Sequence, residues 1–364
     1  MTATLGDELV FRSGARAKNR VALAALTNQQ SHVDGTLSDA ELDFLVARAK
    51  GGFGVVCTCA TNVAADGQGW PGELGVYDDR HLPGLGRLAA ALRAEGALAF
   101  AQIFHGGARA PSTLTGQQPF SASAFDDPSP TFEKPRAATL AEIERVIGQF
   151  RDAARRCRDA GFDGVELHGA HGYLLGQFLS TVTNQRDDAY GGDNAGRARL
   201  LREVTRAVRA AVPASFTVGV RLSPEEGGFA RGLDLDESLE VARWLAEDGV
   251  DFVHLSLWDA TKNTKKRPEE HAIPLFRAVL PADVRVFAAG AVWTRADGEA
   301  LLARGADVVA LGRAGIANPA WPREVVTEGR EPKRPPLTVE ELAERAVSPT
   351  FSTYLRRFKG FVAP

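Results

Sequence analysis

Two histidines three residues apart, His168 and His171, are followed two positions later by Tyr173 in the segment HGAHGYLLGQFLS. The chain has only seven histidines in 364 residues, so such a cluster calls for a chemical reason. Two imidazoles this close can converge as donors on one substrate oxygen, which is what enolate-forming chemistry needs. Two other readings compete with it. A metal would need a third ligand such as Asp or Glu with its own second shell, and no spacing marks one out. Two histidines on one helical turn can also simply serve backbone groups.

Other residues with chemical potential sit at the ends of apolar runs. Gln102 closes LAFAQ and Arg221 closes FTVGVR. An amide and a guanidinium at buried strand ends need partners, because unpaired burial is costly. A polar planar ligand would supply them, and for Arg221 an ion pair with Glu166 is the alternative. AAGAV (Ala288 to Val292) and ALGRAG (Ala310 to Gly315) place glycines where backbone N–H groups can approach an anion, with Arg313 adding a fixed charge. Together they read as a phosphate site, although either loop alone could be a tight turn. Lys262, Lys265, Lys266 and Arg267 form a basic run, read first as a solvated loop and second as an attractor for a phosphorylated reductant such as NADPH.

The elements that must position these groups are legible as alternation. Apolar runs at Arg20–Leu26, Phe53–Cys59, Leu98–Ile103, Gly164–Leu167, Phe216–Leu222, Asp251–Leu255, Val284–Ala288 and Asp307–Leu311 have the near-continuous character of strands buried on both faces. Helical patterns separate them. Ser38-x-x-Glu41 and Thr139-x-x-Glu142 read as capping boxes, and Gly51, Gly161, Gly249 and Gly305 as helix stops. Eight such units predict a single (β/α)8 barrel, residues 1–364, in the α/β class. Gly106–Pro135, Asn184–Asn194, Pro224–Asp234 and Trp258–His271 become insertions over its C-terminal mouth, where barrel active sites lie. Residues 331–364, opening on EPKRPP, are expected as an extension packing on the barrel or on a neighbouring subunit.

Several function classes lose their signals. A net charge of −3 offers no basic face for nucleic acid. No run of about 18 apolar residues suits a membrane span, and MTATLGDELV has no basic-then-apolar leader, so a cytoplasmic location is expected. Cys57, Cys59 and Cys157 are too few for a four-cysteine cluster and include no C-x-x-C pair; they read as small buried hydrophobes, and no metal is expected. The G-x-G-x-x-A at Gly84 to Ala89 follows YDDRHL rather than a strand, so it is set aside as a dinucleotide loop.

HGAHGYLLGQFLS with NQRDDAYGG, QIFHGGAR (Gln102 to Arg109), VGVRLS (Val218 to Ser223), AAGAV and GRAGIANP resemble the Old Yellow Enzyme family of FMN-dependent ene-reductases, from about Asn19 to Trp321. The resemblance implies FMN as cofactor and NADPH or NADH as reductant. Ala25, Leu26, Thr27 and Ala60 would lie against the flavin ring, and Thr27 would tune its potential. Gln102 would bond the pyrimidine edge and Arg221 would stabilise charge near N1. Ala289, Gly290, Gly312 and Arg313 would hold the phosphate end. Hydride would pass from the flavin to the β-carbon of a small activated alkene, with His168 and His171 on the carbonyl oxygen and Tyr173 protonating the α-carbon. Nitro compounds or nitrate esters as acceptors, and a non-catalytic flavin sensor, are the other readings. Departures are Ala25 where relatives often have Pro, Ala195-Gly196-Arg197 for Glu-Asn-Arg, and Phe104 for Trp. The resemblance further implies the single-domain type, a homo-oligomer, and YLRRF (Tyr354 to Phe358) near a neighbouring site.

Overall fold

All eight apolar runs form strands in a computed structural model describing residues 3–129 and 131–364; Met1, Thr2 and Pro130 of the first insertion lie outside the description. They are β1 (Val21–Leu23), β2 (Val55–Asn62), β3 (Leu98–Phe104), β4 (Gly164–Gly169), β5 (Thr217–Leu222), β6 (Phe252–Ser256), β7 (Arg285–Ala289) and β8 (Val308–Leu311). Each pairs in parallel with its sequence neighbours, and β8 returns to β1, closing the barrel. Gln102 does not end its strand as the sequence suggested; β3 continues to Phe104. A register slip between Cys57 and Ala60 bulges β2 and sets Ala60 opposite Gln102.

The eight helices that return the chain are α1 (Asp39–Lys50), α2 (Leu82–Ala94), α3 (Leu140–Asp159), α4 (Asn194–Ala211), α5 (Leu235–Glu247), α6 (Ala272–Val279), α7 (Arg295–Ala303) and the short α8 (Arg313–Ala317). Thr139 and Glu142 form the expected reciprocal box on α3. Ser38 caps α1 through the Glu41 N–H, but the Glu41 carboxylate turns inward to Asn28 and Ser31 and does not complete a box. It is fully buried there, and burial raises its pKa. Gly84 and Gly86 are interior to α2, which removes any phosphate-loop role for them. All three cysteines are buried thiols.

Side chains alternate across each strand, so one residue in two points into the barrel. The lower interior is aromatic. Phe252 stacks on Phe287 at 4.4 Å and on Phe100 at 5.6 Å, and Phe11 caps them from the hairpin of Leu9–Val10 and Arg16–Ala17. The Phe252 ring occupies the space a Cβ at Gly219 would need, 2.2 Å from its Cε1. Further along β3, β4, β5 and β6 the interior turns polar, with Gln102 opposite Glu166, His168 opposite Arg221 and His254 bonded to Glu166, while Ala24 just past β1, Ala289 of β7 and Ala310 of β8 keep that side apolar. The fold thus seals one end with apolar bulk and presents its polar layer at the other.

Residues beyond β8 pack on the same chain. Arg48 of α1 donates to the carbonyls of Gly315, Ile316 and Arg345, Leu337 bridges to Val362, and Phe351 meets Phe44 edge-on at 5.3 Å. This brings α9 (Val339–Ala343) and α10 (Pro349–Leu355) onto the barrel. Among the described residues no helix is long and apolar enough to cross a membrane.

Candidate active site

His168 stands near the C-terminal end of β4, buried. Its Nδ1 accepts the Ala170 N–H at 3.3 Å, which assigns the proton of the neutral ring to Nε2. Burial, then the proximity of His171, Arg221 and Arg109, holds its pKa well below the ordinary histidine value. His171 is likewise kept neutral, by burial and then by Arg221 and Arg109. Its Nε2 lies 2.6 Å from Ser256 Oγ, and that hydroxyl already accepts from Arg221 Nη2 at 3.2 Å. A hydroxyl accepts at two lone pairs and donates once, so Ser256 is equipped either to take the Nε2 proton or to give its own, and the second case leaves the His171 proton on Nδ1. The two rings stand 4.9 Å apart.

His171 adopts φ +59°, a left-handed conformation uncommon for a side-chain-bearing residue. Three contacts hold it there: its N–H donates to Ser223 Oγ, Arg109 Nη1 donates to its carbonyl at 3.0 Å, and its ring is tied to Ser256. Tyr173 follows at the start of the short helix Leu174–Leu179. Its ring lies 5.0 Å from His168 and edge-on to Phe104 at 5.0 Å. The Arg109 guanidinium lies over it at 4.5 Å, with Phe229 on that cation at 4.1 Å. Burial raises the phenol pKa, so it stays protonated at neutral pH.

Beneath these groups runs a buried polar chain. Gln102 Nε2 donates to Glu166 Oε1 at 2.7 Å, and His254 Nδ1 meets Glu166 Oε2 at 2.7 Å. Despite burial, His254, Arg221 and Gln102 together hold the Glu166 pKa below the usual glutamate value. The ion pair considered for Arg221 is thus not formed. Glu166 is taken by Gln102 and His254, while Arg221 reaches the Ala25 carbonyl and Ser256 and leaves Nε buried without a partner. Such a donor is expensive to bury unless a ligand completes it.

These residues open on a cavity of about 840 Å³. Ala25, Leu26, Thr27, Ala60, Gln102, His168, His171, Tyr173, Arg221 and Arg313 all line it. Ala289, Gly290 and Gly312 are outside that lining. Gly290 has an internal reason to be glycine, because its φ is +154° and a Cβ would sit 2.4 Å from the Leu257 carbonyl oxygen. Gly312 has none: its nearest neighbour would be Leu26 Cδ2 at 3.6 Å, leaving room for a ligand to approach the backbone. Among the described residues no group of three or more His, Cys, Asp or Glu could hold a metal, so His168 and His171 find no third ligand.

A profile of the NADH:flavin oxidoreductase / NADH oxidase family matches residues 12–332. The chain belongs to this family. It is 38% identical over 337 residues to a probable NADH-dependent flavin oxidoreductase, YqiG, of Bacillus subtilis, covering 90% of this chain and 88% of that protein. It is 32% identical to an NADPH dehydrogenase of Bacillus licheniformis, over 85% of this chain and 90% of the other. Among solved structures, the Old Yellow Enzyme homologue of Zymomonas mobilis superposes with a TM-score of 0.83 at 29% identity, covering 93% of this chain and 96% of that one. Some other relatives are longer, and the chain spans about a third of their length. As a member of the family this flavin oxidoreductase is an NAD(P)H-dependent enzyme with FMN as cofactor.

The residues present fit that cofactor. The unpartnered Arg221 Nε and the Gln102 carbonyl oxygen, freed by its amide's bond to Glu166, offer a donor and an acceptor to a flat heterocycle. Several site residues of the flavin oxidoreductase escaped sequence reasoning. Arg109 lay within the quoted QIFHGGAR without a role, and Ser223, Ser256 and His254 carried no local signal. The substituted Phe104 is fully buried between Trp70 and Tyr173. Arg197 finds Glu237 at 2.5 Å, together with the carbonyls of Gly192 and Leu179. The segment read as reaching a neighbouring site contributes Tyr354, Leu355 and Phe358 to this chain's own cavity.

Proposed function

We propose that the protein is an ene-reductase acting on small α,β-unsaturated carbonyl compounds. The observation that carries the proposal is the pairing of two neutral imidazole donors, 4.9 Å apart, with a protonated tyrosine 5.0 Å from one of them, in a cavity lined by Gln102 and Arg221. His168 Nε2–H and, with the Ser256 proton given to its Nε2, His171 Nδ1–H bind the carbonyl oxygen and stabilise the negative charge that grows on it. Because neither ring is charged, they polarise the substrate without transferring a proton to that oxygen. Tyr173 gives its phenolic proton to the α-carbon. Arg109 orients both sides of the reaction by holding the His171 carbonyl and the Tyr173 ring.

FMN, when bound, supplies the hydride-carrying chemistry between nicotinamide and alkene. Ala25, Leu26, Thr27 and Ala60 would face its ring, Gln102 and Arg221 its pyrimidine edge, and Ala289, Gly290, Gly312 and Arg313 its phosphate. The Gly312 backbone and the Arg313 side chain are the better supported of this last group, because one is open to approach and the other lines the cavity. The test is spectroscopic. Anaerobic NADPH should bleach the yellow protein, and cyclohexenone should restore the colour in the wild type but slowly in His168→Ala. Prompt recovery in that variant, or none in the wild type, would reject the reading.

A further inference from the structure

The basic run after β6 divides in two once the structure is seen. Lys266 is held by Asp234 and Asp236, at 2.5 and 2.8 Å, and Arg267 by Asp236 at 2.5 Å. Glu225 is taken up by the backbone N–H groups of Lys265 and Lys266, both at 2.8 Å, and Glu226 by that of Gly232. Asp259 is turned to the N–H and hydroxyl of Thr261. Two cations therefore remain. The Lys265 ammonium meets only the Glu226 carbonyl, and Lys262 forms no ion pair among the described residues. Both line the cavity mouth.

Beside them the rim exposes two large aromatics, Trp258 at 85% and Phe229 at 65%. Gly228 lies against the indole, where an added Cβ would be 3.6 Å from its Cζ3. An exposed indole on the same rim as two ammonium groups that form no ion pair, at the entrance of a cavity lined by His168 and His171, is the chemistry that takes a purine by stacking and its phosphates by charge. Phe229 is already engaged by Arg109, which leaves Trp258 as the free platform.

We infer that this rim is a subsite for an adenosine diphosphate group, with Trp258 stacking on the adenine and Lys262 and Lys265 on the diphosphate, and that it serves the distal half of the nicotinamide dinucleotide. The inference rests on the reading that dihydronicotinamide enters the cavity of His168 and His171. Acyl-CoA thioesters carry the same adenosine diphosphate chemistry and are the second source to separate.

The experiment follows anaerobic flavin bleaching in the FMN-loaded protein with NADPH, NADH or 1-benzyl-1,4-dihydronicotinamide, which has the reducing ring and no adenosine diphosphate. Trp258→Ala and the double variant Lys262→Gln/Lys265→Gln should raise the half-saturating NADPH and NADH concentrations by about five- to twentyfold. The saturating rate should stay within about twofold of wild type, the benzyl compound should be unaffected, and ADP should compete with NADPH but not with it. Exposure of Trp258 means the melting temperature should not move, which excludes misfolding as the cause. Unchanged NADPH saturation in both variants overturns the subsite. Variants that weaken crotonyl-CoA and leave NADPH untouched overturn the assignment to the reductant. Failure of the benzyl compound to bleach the wild type overturns reduction in this cavity and the subsite with it, a result distinct from loss of NADPH discrimination alone.

Discussion

Replacing Tyr173 by Phe removes one oxygen and keeps the ring that touches His168, Phe104 and Trp70. The hydroxyl has no hydrogen-bond partner among the described residues; the influences on its pKa are burial and nearby charges alone. Stability should therefore hold, since the hydroxyl opens on the cavity, bonds no protein group, and the packing of the ring is kept. Catalysis should respond differently in its two halves. A positioned general acid contributes about a hundred- to ten-thousandfold, which is roughly 3–5 kcal/mol at about 1.4 kcal/mol per factor of ten. Stopped-flow oxidation of the reduced enzyme by cyclohexenone should slow by that factor. Reduction by NADPH should be unchanged, as should oxidation by a quinone, whose product is protonated on oxygen. Enone turnover within about threefold of wild type would mean that the proton comes from elsewhere. Equal slowing with the quinone would mean that Tyr173 shapes the cavity rather than donating.

Three further outcomes follow from the same geometry. Neutral His168 and His171 have folded pKa values below the unfolded value of about 6.5, so they favour the native state above that pH and oppose it as pH falls through and below it. Acid unfolding of His168→Asn should therefore be less steep, whereas the enone half-reaction should be flat from about pH 7 to about pH 9 because Tyr173 titrates above its ordinary value of about 10. Glu166→Ala strands Gln102 Nε2 and His254 Nδ1 and removes the carboxylate nearest Arg221. It should cost about 3–5 kcal/mol in denaturant titrations, and a loss under about 1 kcal/mol would show the network to be slack. Gly290→Ala meets the Leu257 carbonyl and should lower the melting temperature; Gly312→Ala should leave it unchanged and weaken FMN binding measured by flavin fluorescence. The reverse pattern would relocate the cofactor's phosphate.

What the sequence alone determined is what local periodicity and spacing encode. Eight buried-strand runs, the left-handed helix stops at Gly161, Gly249 and Gly305, and the Thr139 box each depend on residues within a few positions of one another, while after α1 the left-handed turn falls on Gly52 and not on Gly51. The His168, His171 and Tyr173 cluster was legible for the same reason, being carried by one strand end and the turn after it. The Ser38 box was misread because its spacing cannot show that Glu41 faces the interior and prefers Ser31 and Asn28.

Tertiary structure decided everything that barrel closure brings together. Glu166 meets Gln102 across 64 residues and His254 across 88, and His171 meets Ser256 across 85. Those pairings follow from strand register, which sets which inward side chains share a layer, and no single segment records the register of its neighbours. The division of the basic run into neutralised and free cations depended likewise on where the loop after β5 lies against the loop after β6. Local spacing marked out His168, His171 and Tyr173; the closed barrel supplied the burial that holds the two imidazoles neutral and the phenol protonated.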